Sequence, residues 1–205
     1  MQRLTTALAL WAGLTACAQA AEPITLGLNY PRTGPYKEEG LAQMRGALLA
    51  IDELNAQGGV LGRTLRLSSK DTASRPAKAV KNVDKLASEG AAMLFGGSSS
   101  AVAIASGKRA AGHGLLYFGT LTYSNDTTGK DGHRYMFREC NNAWMSARAL
   151  GTYLTKNMPN QDYFYITADY TWGHTTESSL RQTTGSTDAG KHPGLKVPLP
   201  RRPHG

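Results

Sequence analysis

The chain has 205 residues, a formal net charge of +8, 40% apolar and 19% charged side chains. That composition excludes wholesale disorder, and the length can bury a core without disulfide staples. The basic excess suggests nucleic acid, but it sits at the ends: Arg3 near the start and Lys191, Lys196, Arg201 and Arg202 in the last fifteen residues. Residues 21–190 are nearly balanced, so no nucleic-acid partner is expected.

Residues 1–20 read as a secretory signal. Arg3 supplies the positive start, Leu4 to Ala16 an apolar stretch, and Ala18-Gln19-Ala20 a small-residue cleavage motif before Ala21. Leu14-Thr15-Ala16-Cys17 also resembles a lipobox, so anchoring through a lipidated Cys17 is the alternative to soluble export. Either reading places the product outside the cytoplasm, in the periplasm. No other apolar run reaches the ~18 residues of a membrane helix. Cys140 is then the only cysteine of the body and has no internal disulfide partner. The histidines are scattered, without metal-ligand spacing, and no cofactor is expected.

Ile24 to Tyr30 reads as a strand, followed by a Pro/Gly loop at 31–35. From Glu38, Leu41, Met44, Leu48, Ile51 and Leu54 recur at helical steps, and Gly58-Gly59 ends that helix. Thr64 to Ser69 is a strand, Arg75 to Glu89 a helix, Ala91 to Phe95 a strand, Ala101 to Ala111 a helix and Leu115 to Gly119 a strand. Tyr135 to Arg138 is a brief strand after a turn-rich stretch. Asn141-Asn142 caps a helix running to about Lys156. Tyr163 to Thr167 is a strand and Thr175 to Thr184 a helix. Lys191 to Gly205 holds four of the nine prolines and shows no helix or strand period, so a disordered tail is expected there.

This alternation predicts an α/β fold: a parallel-sheet, three-layer lobe at 21–138 and an incomplete second α/β lobe at 139–190. Ligands of such sheets bind outside the carboxyl ends of the strands. Ser98-Ser99-Ser100 lies there, between a strand end and a helix start, where free N–H groups favour an anion. Plain N-capping by one serine is the competing reading. Thr120 and Thr122 follow the next strand, as candidate ligand groups or ordinary turn residues. Trp172 follows the second-lobe strand, as a lid, a cation-stacking ring or a hydrophobic plug. Asp169 and Tyr170 beside it are candidate ammonium partners.

The segments ITLGLNYPRTGPYKEEG, ELNAQGGVLGR, KDTASRPAKAV, GGSSSAVAIA, YFGTLT and ADYTWG, in that order, resemble type I periplasmic binding proteins. More narrowly, they are similar to the Leu/Ile/Val-binding group that serves ABC importers of amino acids and amides. The resemblance covers residues 22–190. It implies two lobes closing on a ligand, and a chain cut short in the second lobe by truncation or frameshift, with a naturally shortened protein as the alternative. It also implies that Ser98 contacts a ligand carboxylate, with Thr120 and Thr122 on the ligand's backbone-like atoms. Trp172 stands where the family usually has a closing tyrosine. The segment Tyr36 to Glu39 departs from the family, which often has an aromatic near Glu39; an acid there disfavours a purely aliphatic ligand.

The function so implied is capture of a small polar solute, an amino acid or amide, by a monomer that delivers it to an ABC permease. A ligand-sensing regulator of the same fold is the alternative. No G-x-S-x-G elbow and no G-x-G-x-x-G after a strand is present, so an enzyme is not expected. A chain cut short is expected to expose apolar surface on its first lobe and to bind amino acids negligibly by calorimetry.

Overall fold

The computed structural model describes residues 21–198. The signal at 1–20, Cys17 and the arginines at 201–202 lie outside the described residues. The elements run β1 (Ile24–Tyr30), α1 (Lys37–Ala56), β2 (Leu65–Asp71), α2 (Pro76–Ser88), β3 (Ala91–Gly96), α3 (Ser100–Gly112) and β4 (Tyr117–Gly119). A 3-10 turn at Asn125–Thr127 leads to β5 (Met136–Arg138), α4 (Ala143–Asn157), β6 (Tyr165–Ala168), α5 (Thr171–Thr184) and β7 (Gly194–Val197).

Local chemistry accounts for most of these boundaries. α2 opens on Pro76, whose fixed φ suits the first helical position, and buries Ala79, Val83 and Leu86 at helical spacing. The Asn142 side chain caps α4 by accepting from the Met145 N–H. Gly185 ends α5 in the left-handed region.

Five parallel strands form the first sheet in the order β2-β1-β3-β4-β5. Gly27, Leu28, Asn29 and Tyr30 on β1 are all buried, which alternating side chains permit only when both faces of the strand are covered. α2 and α3 pack side by side, and α1 rests on β1 and β2. The core joins Val83 and Leu86 of α2, Leu94 of β3, Ala103 and Ala110 of α3, Tyr117 of β4 and Met136 of β5. Burial of each large apolar side chain contributes ~1.5–3 kcal/mol.

The α1 stripe is covered only in part. Ile51 is buried, whereas Leu48 and Leu54 are exposed, as is Leu49 beside them. The second unit is smaller: α4 packs along α5, and α5 lies on β6.

The expectation of a tail without strand or helix is corrected by β7. Gly194–Val197 pairs in parallel with β6, in register from Tyr165↔Gly194 to Ala168↔Val197. The β6 edge supplies backbone groups that need partners. Arg181 on α5 pins the approach by donating to the Ser186 and His192 carbonyls, both at 2.9 Å. All four β7 residues are exposed, so no buried alternation marks the strand in the sequence.

Candidate functional site

The first sheet reverses its direction of growth between β1 and β3, since β2 lies on one side of β1 and β3 to β5 on the other. Such a switch point opens a crevice at the carboxyl ends of those two strands. Tyr36 lies in the loop after β1, and Ser98 and Ser99 in the loop after β3. Gly96 and Gly97 make the turn out of β3, with φ of 127° and 80°. A Cβ on Gly96 would lie 2.4 Å from the Asn29 carbonyl oxygen, so only glycine permits this approach.

Plain N-capping does not describe the serines. Ser99 is the cap residue of α3, but its side chain makes no capping bond. The Ser100 hydroxyl accepts from the Ser124 N–H at 3.0 Å. The Ser98 hydroxyl accepts from the Gln43 side-chain amide. The same amide accepts from the Thr120 hydroxyl at 3.0 Å. The first turn of α3 therefore keeps N–H groups with no side-chain cap, beside two hydroxyls bridged by Gln43.

Gln43 was not a sequence candidate. The available signal was its place on α1, one helical turn after Glu39 and on the same face. Glu39 itself is exposed. Burial first, then the neighbouring Cys140 thiol and Glu39 carboxylate, push the Tyr123 phenol up.

Thr122 departs from its expected place. It is fully buried, its hydroxyl pairs with that of Thr127 at 2.7 Å, and its N–H donates to the Cys140 sulfur at 3.3 Å. It braces the loop after β4 from inside, and its hydroxyl is not presented with those of Ser98 and Thr120. Asp169 is likewise engaged, its carboxylate 2.8 Å from the His174 ring.

Tyr170 and Trp172 do meet the first sheet's loops. The Tyr170 hydroxyl lies 3.0 Å from that of Tyr36, and its ring is tilted against Trp172 at 5.9 Å. Burial, then the Tyr36 bond, drive the Tyr170 phenol far above its ordinary range, so it stays protonated. The loop bearing Tyr36 is held by Asp71, which accepts from the N–H groups of Arg32 at 2.9 Å and Thr33 at 3.1 Å. Ser124 ties the two units together, its hydroxyl 2.8 Å from that of Thr171.

An open depression of about 320 Å³ lies elsewhere, against His174, Glu177, Arg181 and Lys196. Arg181 and Glu177 there are already joined in a 2.7 Å ion pair, and His174 is bound to Asp169, whereas the strand-end site presents uncapped donors. Among the described residues no cluster of His, Cys, Asp and Glu could hold a metal ion, and no helix is long and apolar enough to cross a membrane.

Comparison with known proteins agrees with this fold. A "Leu/Ile/Val-binding protein BraC3" of Rhizobium johnstonii is 32% identical over 152 residues, covering 74% of this chain and 41% of that protein. The chain thus spans less than half the length of that relative. An amino acid ABC transporter substrate-binding protein of Pseudomonas fluorescens Pf-5 superposes with a TM-score of 0.74 at 26% identity, over 90% of this chain and 48% of that one. The same fold, at 22% identity and a TM-score of 0.71, is seen in the branched-chain amino acid transporter substrate-binding protein LivJ of Streptococcus pneumoniae, solved with isoleucine; 86% of this chain and 48% of that chain are covered. A periplasmic binding protein family model matches residues 23–190, and the chain belongs to that family, one of solute-binding proteins and not of enzymes.

Proposed function

We propose that this chain recognises a small amino acid or amide for an ABC importer, as an exported solute-binding protein that docks on permease subunits. The observation that carries this reading is the convergence of Ser98, Thr120 and the uncapped first turn of α3 at one strand-end crevice. Such a set of donors and hydroxyls suits the polar end of an amino acid or a carboxamide. The names of the relatives support the same solute class.

Mechanism in this reading is capture without bond making. Solute binding selects a closed arrangement in which Tyr170 and Trp172 approach the loops of the first sheet. Tyr36 and Tyr170 already touch across that boundary. Ser98, Ser99 and Thr120 face the polar end of the solute, Thr122 braces their loop, and Glu39 biases the site toward a solute bearing positive or donor groups.

Most of these contacts come from one sheet, so binding by this chain is expected to be impaired, near millimolar, or ~4 kcal/mol. The test is an amide-shift NMR titration of the 205-residue chain with L-amino acids, primary amides and urea to tens of millimolar. Shifts clustered at 96–100 and 119–124 support the reading. Their absence with every compound would sink it, and micromolar or tighter affinity would refute the impairment.

A further inference from the structure

We propose that Gln43 sets the polarity of the site, so that Ser98 donates and Thr120 accepts toward the solute, which selects a zwitterion. This inference rests on the solute-binding reading above and assigns a specificity role within it. A hydroxyl carries one donated proton and two lone pairs, and a glutamine amide carries donors at one end and an acceptor at the other. The Gln43 nitrogen donates to the Ser98 oxygen. That bond occupies a Ser98 lone pair and leaves its proton to point elsewhere. The Gln43 oxygen accepts the Thr120 proton at 3.0 Å, which leaves Thr120 with lone pairs only.

The two hydroxyls thus face the crevice with opposite character, although they are chemically alike. The donor side coincides with the start of α3, whose first N–H groups lack a side-chain cap and add positive potential. An anionic carboxylate fits that side. The acceptor side falls at Thr120, on the loop where the Glu39 charge is felt at Tyr123. An ammonium fits there. Gln43 is half-buried between them and contacts residues 55 and 77 positions away in the chain.

The decisive change is Gln43→Glu. A carboxylate only accepts, so it would draw the protons of both hydroxyls and remove the donor that faces the anion. Gln43→Leu removes the orienting bonds altogether. NMR titrations at pH 7 use L-alanine and the two single ions left by removing its ammonium or its carboxylate, propionate and ethylamine, with acetamide and urea as neutral compounds. The expected result is that the wild-type chain binds L-alanine more tightly than either single ion. In Gln43→Glu, affinity for L-alanine and propionate falls about tenfold or more, while that for ethylamine is kept or improved. In Gln43→Leu the preference for the zwitterion disappears.

Amide spectra of each variant verify the fold, and the wild-type preference is read independently of any variant. The inference is overturned if wild type shows no zwitterion preference, or if both folded variants keep the wild-type ratios. Binding of acetamide or urea without any of the charged probes overturns it too, and leaves the solute-binding reading standing. Silence with all five compounds overturns both.

Discussion

The hydroxyls of Tyr36, in the turn after β1, and Tyr170, at the start of α5, meet at 3.0 Å across 134 positions of the chain. This is a direct polar bond between the loops of the first sheet and the second α/β unit. The bond is sheltered, and Tyr170 stays neutral because burial, then the bond to Tyr36, drives its phenol upward.

Removing either hydroxyl should therefore weaken the docking of the second unit. Tyr36→Phe and Tyr170→Phe are each expected to cost about 1 kcal/mol in urea denaturation, with a double mutant no worse than either single one. Additive costs would show that the two hydroxyls act separately.

Asp71 should make the loop after β1 sensitive to acid. Burial opposes its ionisation, but the Lys78 ammonium, the Ala73 N–H and the Thr33 hydroxyl and N–H outweigh that and hold the carboxyl at about 2, against 3.8 ordinarily. A depressed carboxyl stabilises the fold fully above the unfolded value and loses that contribution as pH falls through the folded one. The stabilisation lost between about pH 4 and pH 2 should be about 1 kcal/mol after solvent screening. Urea midpoints of wild type and Asp71→Asn should differ at pH 7 and converge across that window.

Two glycines of α1 should respond oppositely to the same substitution. A Cβ on Gly40 would lie 2.0 Å from the Pro31 carbonyl oxygen, whereas nothing lies within 4 Å of one on Gly46. Gly46→Ala is expected to stabilise by ~0.5–1 kcal/mol through helix propensity. Gly40→Ala should destabilise by ~1–3 kcal/mol, because α1 must move off the loop. Thermal denaturation of the pair reads both signs.

Arg181 should control β7. It pairs with Glu177 at 2.7 Å, donates to two carbonyls of the segment before β7, and lies over the Tyr165 ring at 4.1 Å. Arg181→Ala leaves Glu177 and those carbonyls short of a partner, at a cost of about 3 kcal/mol. Hydrogen exchange should speed up at 194–197 and at β6 while β1 and β3 keep their protection; uniform loss across both sheets would contradict this local role.

The α/β order was legible along the chain because its signals are local. Proline and glycine mark the loop at 31–35 and the end of α1, Asn142 caps α4, and β1 and β3 are short apolar runs. Even so, the helical stripe of α1 did not foretell which members are covered. Leu48 and Ile51 belong to one stripe, yet only Ile51 is buried, because coverage depends on what packs opposite.

The sequence by itself therefore determined the alternation of strands and helices, the strand ends that carry Ser98 and Thr120, and the family. Only the tertiary structure decided how those hydroxyls are spent. Ser98 and Thr120 share Gln43, Thr122 turns inward to Thr127, Ser99 leaves α3 uncapped, and Asp169 pairs with His174. A hydroxyl takes its direction from whichever partner the fold brings within ~3 Å, and no periodicity records that choice. The same holds for β7, whose four exposed residues pair with β6: a strand held by its neighbour's backbone leaves no alternation to read.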